Sequence, residues 1–145
     1  MAARDPLLTV LKLASEAEEQ AALRLKAAQL EAQKRKQQLD ALNQYRLDYM
    51  QQLTGQQGKQ ISANYYQQFH KFIQQIDQAI SQQLRTVASA NTQVQHRQQH
   101  WLEKQQKRKA VELLLEHKAQ KRERAEAKRE QKLADEFAIQ QFIRR

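Results

Sequence analysis

The chain has 145 residues, 40% of them hydrophobic and 28% charged, with a mean hydropathy of -0.95 and a formal net charge of +9. Such a composition leaves little apolar material for a thick globular core, and one proline and two glycines give few places to turn. The absence of cysteine excludes a disulfide framework and a thiolate metal site.

The N-terminal stretch MAARDPLLTVLKLASEAEEQ does not have the apolar core of a signal peptide. No stretch of the sequence approaches the roughly eighteen consecutive apolar residues that a membrane-spanning helix needs. We therefore expect a soluble, intracellular protein.

A first long helix is predicted from about residue 6 to residue 54, with Asp5 as its N-cap and Pro6 at its first position. One stripe follows this helix at alternating steps of four and three, the heptad spacing of a left-handed coiled coil. Of its fourteen positions, eleven are apolar or aromatic, and the other three carry long charged side chains that can set the register. The stripe comprises Leu7, Leu11, Ala14, Glu18, Ala21, Leu25, Ala28, Ala32, Arg35, Leu39, Leu42, Arg46, Tyr49 and Leu53.

Both glycines, Gly55 and Gly58, lie in a break between two periodic segments. Glycine permits a positive φ at little steric cost, so a helix end and a chain reversal are predicted at about residues 55–62. Ser62 suits the N-cap of a second helix, and Ile61 and Tyr66 are spaced for a hydrophobic staple.

The second helix is predicted from about residue 63 to residue 140, and its stripe resumes the same spacing. The stripe comprises Tyr66, Phe69, Ile73, Ile76, Ile80, Gln83, Val87, Ala90, Val94, Arg97, Trp101, Lys104, Arg108, Val111 and Leu115. A short connection makes the helices antiparallel, so facing residues have numbers that add up to about 118. The predicted fold is all-α, a single domain over residues 1–145 that forms a long two-helix antiparallel coiled-coil hairpin.

The second predicted helix is longer than the first, so roughly the last thirty residues of the chain have no part of the first helix to pack against. This segment carries a charged run from His117 to Lys132, followed by Leu133, Phe137, Ile139, Phe142 and Ile143. Exposed apolar residues on a soluble chain are typical of a partner site, and a frayed end is the alternative. Lys and Arg exceed Asp and Glu by 14 to 8 from His96 onward, but the interspersed glutamates and the lack of interleaved aromatics argue against nucleic acid.

Catalytic signatures are missing from the sequence, which has no GxxxxGK[ST] phosphate loop, GxSxG elbow or thiol nucleophile. His96 and His100 are spaced to share a metal, but no third ligand accompanies them, and solvated histidines are the simpler interpretation. We predict a protein that is not an enzyme and that uses no cofactor or metal.

Most of the aromatic residues lie close to the break: Tyr45, Tyr49, Tyr65, Tyr66, Phe69 and Phe72. They either fill the end of the hairpin or form a protein-binding hot spot. Tyr45 and Phe72 fall outside the two stripes, which favours the second role for that pair.

Several segments together resemble the FliJ family of the bacterial flagellar type III export apparatus. They are QLDALNQYRLDYMQQLT before the break, IxxN at Ile61 to Asn64, YYQQFHKFIQQIDQAISQQ after it, then WLEKQQKR and LADEFAIQ. The resemblance implies a coiled coil similar to the stalk subunit of rotary ATPases. It also implies a cytoplasmic protein that is peripherally associated with the inner-membrane export apparatus.

Three partners are implied by the resemblance: the hexameric export ATPase, the membrane protein of the export gate, and flagellar export chaperones. The gate-contact residues of the family correspond here to Gln38, Leu42, Tyr45, Tyr49, Phe72, Ile76, Ala79 and Gln83. For entry into the ATPase ring, the helix termini supply Leu7, Leu11, Lys121, Arg122, Arg124, Lys128, Arg129, Leu133 and Phe137. The alternatives are a stalk of a virulence injectisome and a basic coiled-coil adaptor or nucleic-acid-binding protein.

Overall fold

The computed structural model describes residues 5–55 and 62–144. Helix α1 spans Pro6–Gly55 and helix α2 spans Ala63–Arg144, and the part of the chain that is described contains no strand. The predicted fold class, two antiparallel helices packed as a coiled coil, is confirmed. Gly58 and Ile61, and with them the predicted reversal and staple, lie outside the described residues.

Side-chain caps fix where both helices begin. The Leu7 N–H donates to Asp5 Oδ1 at 3.0 Å, and the Tyr65 N–H donates to Ser62 Oγ at 3.1 Å. Each cap gives a partner to an N–H group that the first turn of a helix leaves without one. Both predicted N-caps are therefore present.

The chain divides into two compact units. Residues Met1–Glu19 and Leu102–Arg145 form the terminal unit, and Gln20–Trp101 form the turn-proximal unit. In each unit a segment of α1 packs antiparallel against a segment of α2.

Aromatic and branched side chains hold the turn-proximal unit together. Phe69, Ile73 and Ile76 are buried, with Tyr49, Leu53, Phe72 and Ile80 packed around them. Tyr49 stacks on Phe69 with 4.6 Å between ring centroids, a pair at the predicted register. Every predicted stripe position in this unit is buried or half-buried except Tyr66.

Tyr66 is wrongly placed in the stripe, because its side chain is 52% exposed. Its ring packs edge-on against His70 of the same helix, with 4.3 Å between ring centroids. A contact one turn further along α2 therefore replaces the predicted packing against α1.

The terminal unit is packed with smaller residues. Ala14 and Val111 are buried, and Leu7, Leu11 and Leu115 are half-buried. Every described residue after Leu115 is exposed, and Lys118 is the last residue of α2 with a hydrogen bond to the first turn of α1. We call this segment, residues 116–144, the single-helix segment.

Polar partners accommodate the charged residues in the first stripe. Arg46 Nε donates to Asp77 Oδ1 at 2.6 Å, and the backbone carbonyl of Arg35 accepts from Gln83 Nε2 at 2.9 Å. Glu18 accepts from Arg108, whose guanidinium also bonds Glu112 at 2.9 Å. Such pairs favour one alignment of the two helices over a shifted one.

Candidate interaction surfaces

The turn-proximal unit brings the predicted gate-contact residues together on one side of the helix pair. We call this surface the aromatic face. On α1 its members follow one another at steps of four and three, and on α2 they do the same, so each set forms a stripe that overlaps one edge of the packed seam. The Tyr45 and Phe72 rings meet edge-on with 6.2 Å between centroids, which joins the two stripes. The members are Gln38, Leu42, Tyr45, Tyr49, Phe72, Ile76, Ala79 and Gln83.

Members of the aromatic face differ in how much of them a partner can reach. Tyr45 is 51% exposed, whereas Ile76 is only 5% exposed and belongs to the core. Tyr49 and Phe72 are half-buried against that core, with 4.7 Å between their ring centroids. Tyr45 is thus the large side chain of this face that is most available for contact.

The side-chain amides of Gln38 and Gln83 lie at the end of the aromatic face that is farther from the break between the helices. Gln83 Nε2 donates both to the Arg35 carbonyl at 2.9 Å and to Gln38 Oε1 at 3.3 Å. Gln38 Oε1 also accepts from the Arg35 guanidinium at 3.2 Å. Because these groups satisfy one another, Gln38 and Gln83 contribute to alignment of the helices as well as to the surface.

A polar groove of about 690 Å³ continues the same side of the turn-proximal unit beyond these amides. Ion pairing holds Arg35 to Glu31 at 2.7 Å on one wall of the groove. Its lining residues are Glu31, Arg35, Gln82, Arg85, Thr86, Ser89, Ala90 and Gln93. The surface next to the aromatic face is therefore suited to hydrogen bonding more than to apolar contact.

The predicted ring-contact residues fall into two groups in the terminal unit. Leu7 and Leu11 are half-buried against α2, so their side chains are largely occupied within the chain. The remainder are exposed on the single-helix segment, with Leu133 60% and Phe137 62% exposed. These exposed residues are Lys121, Arg122, Arg124, Lys128, Arg129, Leu133 and Phe137.

Between residues 116 and 132, the charges of the single-helix segment are sorted by sign around the helix. At 3.6 residues per turn, the cations Lys118, Lys121, Arg122, Lys128, Arg129 and Lys132 share a broad side, and Arg124 lies at its edge. Glu116, Glu123, Glu126 and Glu130 fall on the other side. Within residues 116–132 the helix therefore carries a basic side and an acidic side, whereas further along Glu136 falls on the basic side and Asp135 at its edge.

The charged side chains of the single-helix segment do not pair with one another in the described part of the chain. Glu103 and Lys107 are spaced for an i,i+4 pair and Glu126 and Arg129 for an i,i+3 pair, but the described residues form neither pair. Lys118 is the last cation that bonds to α1, where its Nζ donates to Asp5 Oδ2 at 2.8 Å. Beyond it, the basic side of the helix faces solvent.

Hydrogen bonds shift the pKa values of three charged groups in the two units. The Lys118 ammonium, followed by the Leu7 N–H, lowers the pKa of the Asp5 carboxyl. The carboxylates of Glu18 and Glu112 raise the pKa of Arg108, and Asp77 raises the pKa of Arg46. Each shift favours the charged form of the group, so Asp5, Arg46 and Arg108 are held in their charged forms.

Neither metal ligation nor membrane insertion is indicated for the described residues. Within residues 5–55 and 62–144, no group of three or more His, Asp or Glu side chains could hold a metal ion. No described helix combines the length and apolarity needed to cross a membrane.

Comparison with known proteins finds similarity over almost the whole chain. The family model described as Flagellar FliJ protein matches residues 3–145. The flagellar FliJ protein of Escherichia coli K12 is 29% identical over 145 residues, with 100% of this chain and 99% of that protein covered. The flagellar FliJ protein of Salmonella typhi is 28% identical over the same length, with the same coverage.

Proposed function

The chain belongs to the flagellar FliJ family, and on that premise we propose that it is a non-catalytic component of the flagellar type III export apparatus. The observation that carries the proposal is the contrast between its two units. The turn-proximal unit presents aromatic residues on a rigidly packed pair of helices, and the terminal unit ends in one exposed, charged helix. Two separate partners can therefore be engaged by one small chain.

The terminal unit is the part that enters the hexameric export ATPase in this proposal, where it promotes assembly and activity of the ring. Its single-helix segment has a basic side, an acidic side and an apolar end, so it is asymmetric around its axis. A helix of this kind cannot make the same contacts with six equivalent subunits, and it therefore favours some subunit conformations over others. Hydrolysis itself is assigned entirely to the ATPase.

Stimulation of ATP hydrolysis by the purified chain tests this role. Replacing Lys121, Arg122, Arg124, Lys128 and Arg129 with Ala removes exposed charges, of which only Arg122 lies near α1, and Ala favours the helix. We expect the variant to keep its helix content and to lose most of the stimulation. A matched variant with Glu123, Glu126 and Glu130 changed to Ala tests the acidic side, and unchanged stimulation by the first variant would remove the basic side from the contact.

The aromatic face is the part that contacts the export gate in this proposal. Tyr45 is its most exposed large side chain, and its ring is held edge-on by Phe72. An exposed aromatic side chain fixed by a neighbour loses little freedom on binding, which is typical of hot-spot residues. The amides and the polar groove beside it supply the hydrogen-bonding rim that such a contact needs.

Binding to the isolated cytoplasmic part of the gate protein tests this second role. Tyr45→Ala should weaken binding by about 2 kcal/mol, roughly thirtyfold, if Tyr45 is a hot spot. Leu47→Ala is the matched control, because Leu47 is also 51% exposed but lies outside the aromatic face. Equal effects of the two substitutions, or a large loss of helix content in Tyr45→Ala, would contradict a contact role for Tyr45.

Escort of flagellar export chaperones completes the proposed function. We expect the purified chain to bind such chaperones without losing its helix content. Competition between a chaperone and the gate fragment would place the chaperone on the turn-proximal unit, and competition with the ATPase would place it on the terminal unit. Failure to bind any flagellar export chaperone would remove this part of the proposal.

A further inference from the structure

An apolar groove of about 300 Å³ runs between the two helices of the terminal unit. Val10, Leu13, Ala14 and Ala17 of α1 form its apolar wall, and Lys104 and Lys107 of α2 border it. None of these six residues belongs to the surfaces assigned above to the ATPase ring or the gate. The groove thus lies in the terminal unit, but its residues are distinct from those assigned to the ring contact.

Exposure of the apolar wall goes beyond what the coiled coil requires. Leu13 is 59% exposed and Val10 is 39% exposed, although both lie next to the packed stripe of α1. Residues 10, 13 and 17 share one side of the helix, so their apolar surface is continuous over about two turns. Continuous exposed apolar surface is a common mark of a binding site.

The lysines beside this wall are available to a partner. Within residues 5–55 and 62–144, neither Lys104 nor Lys107 forms an ion pair, although Glu103 is spaced for one with Lys107. Leu114 follows Lys107 by one heptad and is 57% exposed, so the same side of α2 continues with a further apolar contact. Apolar surface and positive charge thus run side by side along the unit.

We propose that this groove binds a helix of a partner protein whose apolar ridge is bordered by carboxylates. A helix presents residues i, i+3 or i+4 and i+7 as a ridge of about two turns, the length of the apolar wall. Carboxylates beside that ridge reach Lys104 and Lys107 while the ridge covers Val10 and Leu13. A nucleic acid would satisfy the lysines but would leave the apolar wall uncovered.

Two designed peptides of about 18 residues, long enough to form helix when bound, test the proposal. Both carry the same leucine ridge; one has Glu at the flanking positions and the other has Lys. Fluorescence anisotropy of the labelled peptides with the full chain at low ionic strength gives the two affinities. We expect the Glu peptide to bind about tenfold more tightly than the Lys peptide, since two ion pairs are exchanged for two repulsions.

Charge reversal of the groove provides the decisive comparison. Lys104→Glu with Lys107→Glu should invert the preference between the peptides, whereas Lys109→Glu, an exposed charge outside the groove, should leave it intact. Leu13→Gln should abolish binding of the Glu peptide, while Leu113→Gln, which alters a 53% exposed leucine outside the groove, should preserve it. Circular dichroism of each variant checks that its helix content is unchanged.

Three results would overturn the proposal. The first is equal binding of the two peptides, or no binding of either. The second is dimerisation of the chain in sedimentation that Leu13→Gln abolishes, because the groove would then belong to a second copy. The third is Leu13-dependent binding to vesicles of phosphatidylglycerol without peptide binding. Since the peptides involve no ATPase or gate protein, each of these results leaves the proposed role in export to be judged on its own tests.

Discussion

The turn-proximal and terminal units hold the same two helices together with different chemistry. In the turn-proximal unit, Phe69, Ile73 and Ile76 are buried and an aromatic stack covers them. In the terminal unit, Ala14 and Val111 are the buried apolar residues, and the Glu18–Arg108 ion pair crosses between the helices. The turn-proximal unit thus buries large apolar side chains and the terminal unit buries smaller ones, while in both units polar pairs between the helices favour one alignment.

Apolar burial and ion pairing contribute different amounts of free energy on folding. Burying apolar area stabilises in proportion to that area, about 25 cal/mol per Å². The attraction within an ion pair is partly offset by the cost of removing two charges from water. The net contribution of the pair to the free energy of unfolding is therefore smaller than its attraction alone. Its geometric requirements nevertheless penalise a shifted alignment of the helices.

Truncating a side chain in the core of the turn-proximal unit is expected to change the free energy of unfolding most. Ile76→Ala should lower the free energy of unfolding by about 2–5 kcal/mol, because Ile76 is almost fully buried. Val111→Ala in the terminal unit should cost less, about 1.6 kcal/mol for two methyl groups. Urea unfolding followed by circular dichroism measures both changes.

Leu84→Ala is the control for these truncations, because Leu84 is 53% exposed. We expect it to change the free energy of unfolding by less than about 0.5 kcal/mol. A loss from Val111→Ala as large as that from Ile76→Ala would mean that the two units are held together equally by apolar packing.

A smaller effect is expected from removing the charge that crosses the terminal unit. Glu18→Gln leaves Arg108 with Glu112 as its remaining carboxylate partner, so the alignment of α1 against α2 is less strongly favoured. Amide hydrogen exchange should become faster over residues 6–19 and stay unchanged over the turn-proximal core. Glu19→Gln, at an exposed neighbouring position, should alter neither region, and faster exchange in both units would contradict a local role for Glu18.

The smallest expected effect concerns the ionisation of Asp5. The Lys118 and Leu7 hydrogen bonds lower the pKa of Asp5 in the folded protein, so the carboxylate stabilises the fold at pH values above the unfolded pKa. This contribution is lost as the pH falls below about 3.9 and through the lowered folded pKa. NMR titration of the Asp5 carboxyl should show the lowered pKa, and Lys118→Ala should move it back toward its ordinary value. An unchanged pKa in that variant would contradict the Lys118 contact.

Much of the fold follows from the spacing of residues along the sequence. A step alternating between four and three forces one side of each helix toward the other, and the structure buries or half-buries every stripe position except Tyr66. Spacing does not determine which way a ring turns at the start of a helix, and Tyr66 packs on His70 instead. It also does not determine which long side chains meet, so the Arg46–Asp77 pair could not be deduced.

The candidate surfaces were less accessible to sequence reasoning, because the partners are other molecules. The separation of charge on the single-helix segment was present in the sequence, but it emerges only when residues are placed around a helix at 3.6 per turn. Ile76 shows the opposite difficulty. Its position in the sequence suits both the aromatic face and the packed stripe. Only the structure, in which Ile76 is 5% exposed, shows that its side chain belongs to the core.

Asp5 carries a geometric consequence for the far end of the chain. The Asp5 carboxylate both caps α1 and accepts a hydrogen bond from Lys118, so it marks the last hydrogen bond between the start of α1 and α2. From there to Arg144 the helix reaches about 39 Å at 1.5 Å per residue. If α1 began seven residues earlier, it would pack against about 10 Å more of α2. The length of α2 that extends beyond α1 is thus determined by where α1 begins.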